Sequence, residues 1–306
     1  MVRLRLDLAY DGGAFYGWAK QPTLRTVQGE LEQALHTILR VPADDPDEPL
    51  RLTVAGRTDT GVHALHQVCH LDVGEATLER CVGHMGVPAP EALFRRLSRM
   101  VPDDIAIHAL SVAPEGFDAR FSALERTYVY RICDDARPVD PRMRGFVLAL
   151  DDRLDLDAMN AAAAMTIGLH DFGSFATPNP GGTTIREVKQ AHWSRIPVSP
   201  LVPGASGGAG TAGGYTVPAA ESGLVCFTIV ADAFARNMVR SLVNACVKVG
   251  QGRKDLNWFA EKMATPLREG STGPIAPQGL TLEHVAYPPD DHLAARAEAI
   301  RAKRTL

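Results

Sequence analysis

Five apolar residues, Val2, Leu4, Leu6, Leu8 and Tyr10, alternate with Arg3, Arg5, Asp7 and Ala9 at the start of the chain. That period of two predicts a half-buried strand, which the turn-forming Asp11-Gly12-Gly13 ends. Thr26 reads as a helix N-cap, because its hydroxyl can accept a bond from an otherwise unpaired N–H of the first turn. Beyond it Val27, Leu31, Ala34, Leu35, Ile38 and Leu39 recur at helical spacing and predict an amphipathic helix ending near Val41. Further strands are predicted over 50–55, 65–73, 105–112 and 126–133, and a helix over 91–100. The second half continues with helices over 157–167 and 235–249 and strands over 185–193, 224–230 and 280–287. Many strands adjoin with no helix between them. That favours an α+β fold with a largely antiparallel sheet over a doubly wound parallel one.

At 306 residues the chain exceeds the usual size of one hydrophobic core, so two domains, or one extended sheet made of two halves, are expected. A Pro- and Asp-rich stretch over 137–152 is the expected divide between a first half over 1–136 and a second over 153–290, with a charged tail over 291–306. Residues 199–223, rich in Gly, Ala and Ser, read as a flexible insertion. No apolar run approaches the roughly 20 residues that span a bilayer, and residues 1–10 lack a secretory pattern. Five scattered cysteines, Cys69, Cys81, Cys133, Cys226 and Cys246, form no Cys-x-x-Cys pair and fit a reducing cytoplasm. The net charge of -4 gives no general support to nucleic-acid binding, yet it leaves room for a basic face. Arg95, Arg96 and Arg99 share one predicted helix, and Arg120, Arg126 and Arg131 follow within a short span, while Asp44, Asp45, Asp47 and Glu48 form an acidic loop.

Candidate chemistry concentrates in Ala55-Gly56-Arg57-Thr58-Asp59-Thr60-Gly61-Val62-His63-Ala64. Two glycines, which permit tight turns and close approach of another molecule, flank a carboxylate next to a guanidinium. Such a loop is expected to present Asp59 outward, ionised at neutral pH and aided by Arg57, as a nucleophile, general base or metal ligand. The plain alternative is a surface turn with a local ion pair, since Gly and Asp are ordinary turn residues. Asp59-Thr60-Gly61 is also the tripeptide of aspartic proteases, which need two aspartates sharing a proton, and one copy is present. Asp171-Phe172-Gly173 matches a kinase element but lacks its companion loops. His63, His66 and His70 could line a metal, yet no matching ligand cluster accompanies them, and no nucleotide-binding fingerprint is present.

The decapeptide around Asp59 resembles the signature of the tRNA pseudouridine synthase A family, and the resemblance continues in order along nearly the whole chain. It takes in Tyr10-Asp11-Gly12 with Phe15, Gly17, Trp18 and Gln21, Val27-Gln28 with Leu31-Glu32, Pro102 to Ala106, and Asp118 to Ala123. Arg126-Thr127-Tyr128-Val129-Tyr130, Asp171-Phe172 with Ser174-Phe175, Ala233-Phe234 with Met238-Val239-Arg240, and Gly279-Leu280 with Leu282 follow. Thr127, Asp232 and the long insertion depart from the pattern. The resemblance implies two ferredoxin-like halves forming one extended sheet, and isomerisation of uridine to pseudouridine in the anticodon stem-loop of tRNA by a cytoplasmic homodimer without metal or cofactor. It implies Asp59 as the catalytic residue, Arg240 as its ion-pair partner and Tyr128 stacked on the uracil. Arg57, Arg120, Arg126 and Arg236 would contact the RNA. An aspartic hydrolase and a non-catalytic tRNA-binding module are the competing expectations.

Overall fold

Burial along Val2–Tyr10 alternates as the sequence pattern requires, with Leu4, Leu6, Leu8 and Tyr10 inside. The computed structural model describes residues 1–136, 139–178, 182–198 and 220–300, so most of the insertion expected at 199–223 and the end of the charged tail lie outside the described residues. The chain runs through β1 (Val2–Tyr10), α1 (Val27–Leu39), β2 (Thr53–Val54), β3 (His63–Val73), α2 (Glu75–Arg80), α3 (Ala89–Met100) and β4 (Ile105–Val112). It continues through β5 (Glu125–Cys133), β6 (Leu148–Ala149), α4 (Leu156–Ala164), β7 (Gly168–Asp171), β8 (Ile185–Arg195) and β9 (Val225–Ala231). Helices α5 (Met238–Gly250) and α6 (Leu256–Ala264), strand β10 (Leu280–Ala286) and helix α7 (Leu293–Ile300) complete it.

All ten strands form one sheet in the order β4-β1-β3-β10-β5-β9-β8-β7, with β2 beside β3 and β6 beside β5. This order contains the same unit twice. The β-α-β-β-α-β run from β1 through α1, β2, β3 and α3 to β4 has its last strand beside its first and its third strand on the other side. The run from β5 through α4, β8, β9 and α5 to β10 repeats that arrangement, so both halves are ferredoxin-like. The pairs within each half are antiparallel except for the short β6, which runs parallel to β5, and the halves join where β10 runs parallel to β3, at His63 with Thr281 and Ala64 with Leu282.

Three expectations shift. Strand β5 is the first strand of the second unit, so the repeat begins ahead of Glu125, and the Pro- and Asp-rich stretch over 137–152 is a connection inside that unit. The strand expected over 50–55 shrinks to Thr53–Val54, because Leu50 sits at a φ of 34° that no extended strand can adopt. Helix α5 starts three residues later than its apolar pattern suggested, since Asn237 takes the left-handed conformation, φ 62°, and breaks the run.

The loop between β2 and β3 that carries Asp59 lies directly against the loop that follows β1. Gly61 N–H donates to the Phe15 carbonyl at 3.2 Å, Trp18 N–H to the Thr58 carbonyl at 3.1 Å, and Gly12 N–H to His63 Nδ1 at 3.0 Å. Tyr10 and Thr58 share a hydroxyl hydrogen bond of 2.8 Å, and Gln67 Nε2 donates to the Gly56 carbonyl at 2.8 Å. Phe15 and Trp18 bury their rings beside these contacts. Such close backbone packing leaves no room for a side chain: a Cβ on Gly12 would stand 2.0 Å from the Val62 carbonyl oxygen.

Gly12→Ala is therefore expected to destabilise the protein by about 2–3 kcal/mol in urea unfolding, at the upper end of overpacking costs. Gly13→Ala, whose Cβ would approach only the flexible Asp11 side chain, at 3.1 Å, is the control and should cost under about 1 kcal/mol. Equal stabilities of the two variants would disprove the close-packing account.

Candidate active site

Asp59 sits on the β2–β3 loop at the junction of the two halves, and its side chain keeps 32% of its exposure, so the loop holds it half-buried rather than outward as expected. Across the junction it meets the start of α5. Arg240 Nη1 lies 4.0 Å from Asp59 Oδ2, and the Arg240 Nε–H donates to the Ile275 carbonyl at 2.7 Å, which fixes the guanidinium. Burial raises the Asp59 carboxyl above its ordinary range, while Arg240, Arg236 and the backbone amide of Asn237 pull it back down. Burial also lowers the Arg240 guanidinium from its usual value, and the Asp59 charge opposes this. The left-handed turn at Asn237 brings this amide and the positive end of α5 to the carboxylate. Asn237 was not singled out from the sequence, although an asparagine just ahead of an apolar helical run is a readable sign of such a turn.

Tyr128 projects from β5 into the same region, opposite Leu282 of β10 and Ile229 of β9. Its ring meets Phe234 edge-on, with centroids 5.2 Å apart, and it is almost fully buried. Burial above all, then the neighbouring Tyr10 and Asp59, raises its phenol well above the ordinary value. Tyr130, two residues along and buried on the same face of the strand, donates its hydroxyl to the Ala276 carbonyl at 2.7 Å.

The arginines divide into groups. Arg57, Arg120 and Arg236 are exposed and form no ion pair within 4.0 Å among the described residues, although Arg236 still acts on Asp59 at longer range. Arg57 does not act on Asp59 as the sequence suggested; Arg240 and Arg236, brought from the second half, take that place. Arg126 is buried, and its guanidinium donates to the carbonyls of Asp232 (2.5 Å), Ala55 (2.6 Å) and Arg120 (2.9 Å), so its Nη groups are committed to backbone rather than free to hold RNA. On α3, Arg95 pairs with Glu91 and Arg96 donates to the Cys81 carbonyl.

The three histidines of β3 serve different partners. His63 accepts from Gly12 N–H, His66 bonds Asp7 and His284, and His70 accepts from Ala119 N–H. Among the described residues no group of three or more His, Cys, Asp or Glu is arranged to hold a metal ion. In the kinase-like tripeptide, Asp171 accepts from Gly173 N–H and Thr184, and Phe172 is buried in the core.

A family model described as tRNA pseudouridine synthase matches residues 162–288, which include α5 with Arg240 but not Asp59. Over the full length the chain is 72% identical to the tRNA pseudouridine synthase A of Bifidobacterium longum, with all of both chains aligned. It is 45% identical to that of Streptomyces griseus, over all of this chain and 95% of that one, and 41% identical to that of Mycobacterium leprae, over 99% and 96%. With full-length identity of this order, and with the duplicated ferredoxin-like sheet that the motifs implied, the chain belongs to the tRNA pseudouridine synthase A family.

Proposed function

We propose that Asp59 is the catalytic residue of this tRNA pseudouridine synthase and that it acts on uridines of the anticodon stem-loop. One observation carries the reading: a half-buried carboxylate is held between Arg240 and the N-terminal end of α5, with Arg236 acting on it, while Arg57, Arg120 and Arg236 are exposed and form no ion pair within 4.0 Å among the described residues. Several other arginines are paired with acids, as in Arg3 with Asp72, Arg25 with Asp104, Arg131 with Glu283 and Arg195 with Asp134. Unpaired positive charge around one carboxylate suits a polyanion that must be gripped while one of its nucleotides reacts.

In the reaction the bond from C1′ of the ribose to N1 of uracil breaks, a bond from C1′ to C5 forms, the C5 proton leaves and N1 gains a proton. No electrons are gained or lost overall. Asp59 acts on the sugar or the ring of a uridine extruded from its stack, which costs a few kcal/mol that phosphate contacts offset. Tyr128 stacks against the uracil and relays the C5 proton, while Arg240 keeps Asp59 ionised. The aspartic-hydrolase reading requires a second carboxylate close enough to share a proton, and the charged groups acting on Asp59 are arginines instead. We place the protein in the cytoplasm as a homodimer. Five scattered, buried cysteines with no Cys-x-x-Cys pair support a reducing compartment, and the exposed Leu65, beside a cavity of about 370 Å³ lined by Met143 and Phe146, supports a protein partner. No helix among the described residues is long and apolar enough to cross a membrane.

Asp59→Asn should abolish tritium release from C5-labelled uridine in tRNA while leaving tRNA affinity within about threefold, because the amide keeps the shape and loses the charge and nucleophilicity. Turnover within tenfold of the unmodified protein would remove Asp59 from the central role.

Single-turnover rates should fall on the acid side as Asp59 takes up a proton. Arg240 pulls the carboxyl down, so Arg240→Met should move that limb to higher pH, and Arg240→Lys should largely restore it. A limb that stays in place in Arg240→Met would show that the ion pair does not tune Asp59.

Filter binding across a salt series should give a slope of log affinity against log salt of several units, since each phosphate contact contributes somewhat under one. A slope near zero, or no binding at low salt, would count against tRNA as the polyanion.

A further inference from the structure

The glycines around Asp59 differ in what requires them. Gly17 and Gly61 have φ of +87° and +75°, and a Cβ on them would stand 2.8 Å from the Thr58 carbonyl and 2.7 Å from the Pro277 ring; Gly12 is excluded from bearing a side chain by the Val62 carbonyl. Gly56 is different. Its φ lies outside the left-handed range, and a Cβ there would meet one atom within 4 Å, the Nε of Arg126 at 3.9 Å. Nothing in the fold calls for glycine at this position.

The atom it would meet belongs to a buried cation without a counter-charge. Arg126 gives its Nη groups to three backbone carbonyls, none of them a carboxylate, and its Nε–H has no acceptor among the described residues. Two of those carbonyls belong to Ala55, next to Gly56, and to Arg120, so one guanidinium ties the backbone beside Gly56 to the backbone of Arg120. Burial lowers the Arg126 guanidinium from its usual value, the direction expected of a buried charge that has dipoles but no anion beside it.

We infer that the bare face of Gly56 and the Arg126 Nε–H form a seat for one phosphate of the substrate strand, next in the chain to the exposed Arg57 and three residues from the proposed catalytic aspartate. This rests on the tRNA reading above. A phosphate needs close approach to backbone and a charged donor, and a methyl group on residue 56 would stand where its oxygens lie. The seat holds the reacting nucleotide by its backbone and so leaves the base free to leave the stack.

Gly56→Ala separates this from a structural need. The variant should melt within about 2 °C of the unmodified protein, yet lose at least tenfold in single-turnover rate on an unmodified tRNA transcript. Its salt slope of tRNA binding should fall by somewhat under one unit, the loss of one phosphate contact. A marked fall in melting temperature would mean that the fold demands glycine, and unchanged turnover would mean that nothing approaches residue 56; either result overturns the seat. Lost turnover with an unchanged slope would also overturn it, since the displaced group would then carry no charge. If the unmodified protein binds tRNA and forms pseudouridine while Gly56→Ala matches it, the seat fails and the tRNA reading stands. If the unmodified protein does neither, the tRNA reading fails and the seat with it.

Discussion

The candidate site depends on two loops whose backbones lie in contact. The segment after β1 and the segment before β3 exchange backbone hydrogen bonds at Gly61 with Phe15 and at Trp18 with Thr58, and glycines at 12, 17 and 61 stand where no side chain would fit. Main-chain contact of this kind tolerates little displacement, because backbone atoms have fewer ways to yield than the ends of flexible side chains. The loop that carries Asp59 is thus templated by the first loop, and Asp59 inherits its position from that template. Buried Phe15 and Trp18 hold the template to the core, each contributing on the order of 2 kcal/mol or more by area removed from water.

Electrostatics then set the state of the carboxylate. At 4.0 Å and an effective dielectric constant of about 20, Arg240 attracts Asp59 by about 4 kcal/mol before desolvation is counted, and desolvation of a partly buried ion is of similar size. The near balance explains why the carboxyl is raised by burial despite an arginine beside it. The linkage has a definite sign. A carboxyl that binds its proton more tightly in the folded state weakens folding at neutral pH, and the weakening disappears as pH falls through its folded pKa. Asp59 therefore opposes stability where the enzyme works, as expected of a group placed for chemistry rather than for folding.

Much of this was legible in the sequence because it depends on local pattern. The alternation in Val2–Tyr10 and the stripe after Thr26 each describe their own neighbourhood, and the structure agrees with both. What was illegible depends on partners far apart in the chain. Arg57 is two residues from Asp59, yet Arg240 supplies the ion pair, because the sheet brings the start of α5 across the junction while the loop carries Arg57 to the surface. The family resemblance implied an RNA contact for Arg126, and three backbone carbonyls from separate segments account for its Nη groups. Proline and aspartate near 137–152 mark a loop, and strand order is what shows where each β-α-β-β-α-β unit starts.

Duplication of the ferredoxin-like unit explains why one chain has one site although its scaffold occurs twice. In the first unit the second strand is reduced to Thr53–Val54, which leaves most of the outer edge of β3 unpaired by its own half and open at His63 and Ala64 for β10. In the second unit the corresponding strand, β8, is eleven residues long and pairs along β9, so no equivalent edge is open there. The shortened strand is what allows the halves to join, and the loop that replaces it is the loop that carries Asp59. The carboxylate comes from the first half, and Tyr128, Asn237 and Arg240 come from the second, so the site exists only when both units are folded and joined. An unassembled half would carry either an aspartate without its arginine or an arginine without its aspartate. Coupling chemistry to the junction in this way confines the reactive carboxylate to the folded, two-unit chain.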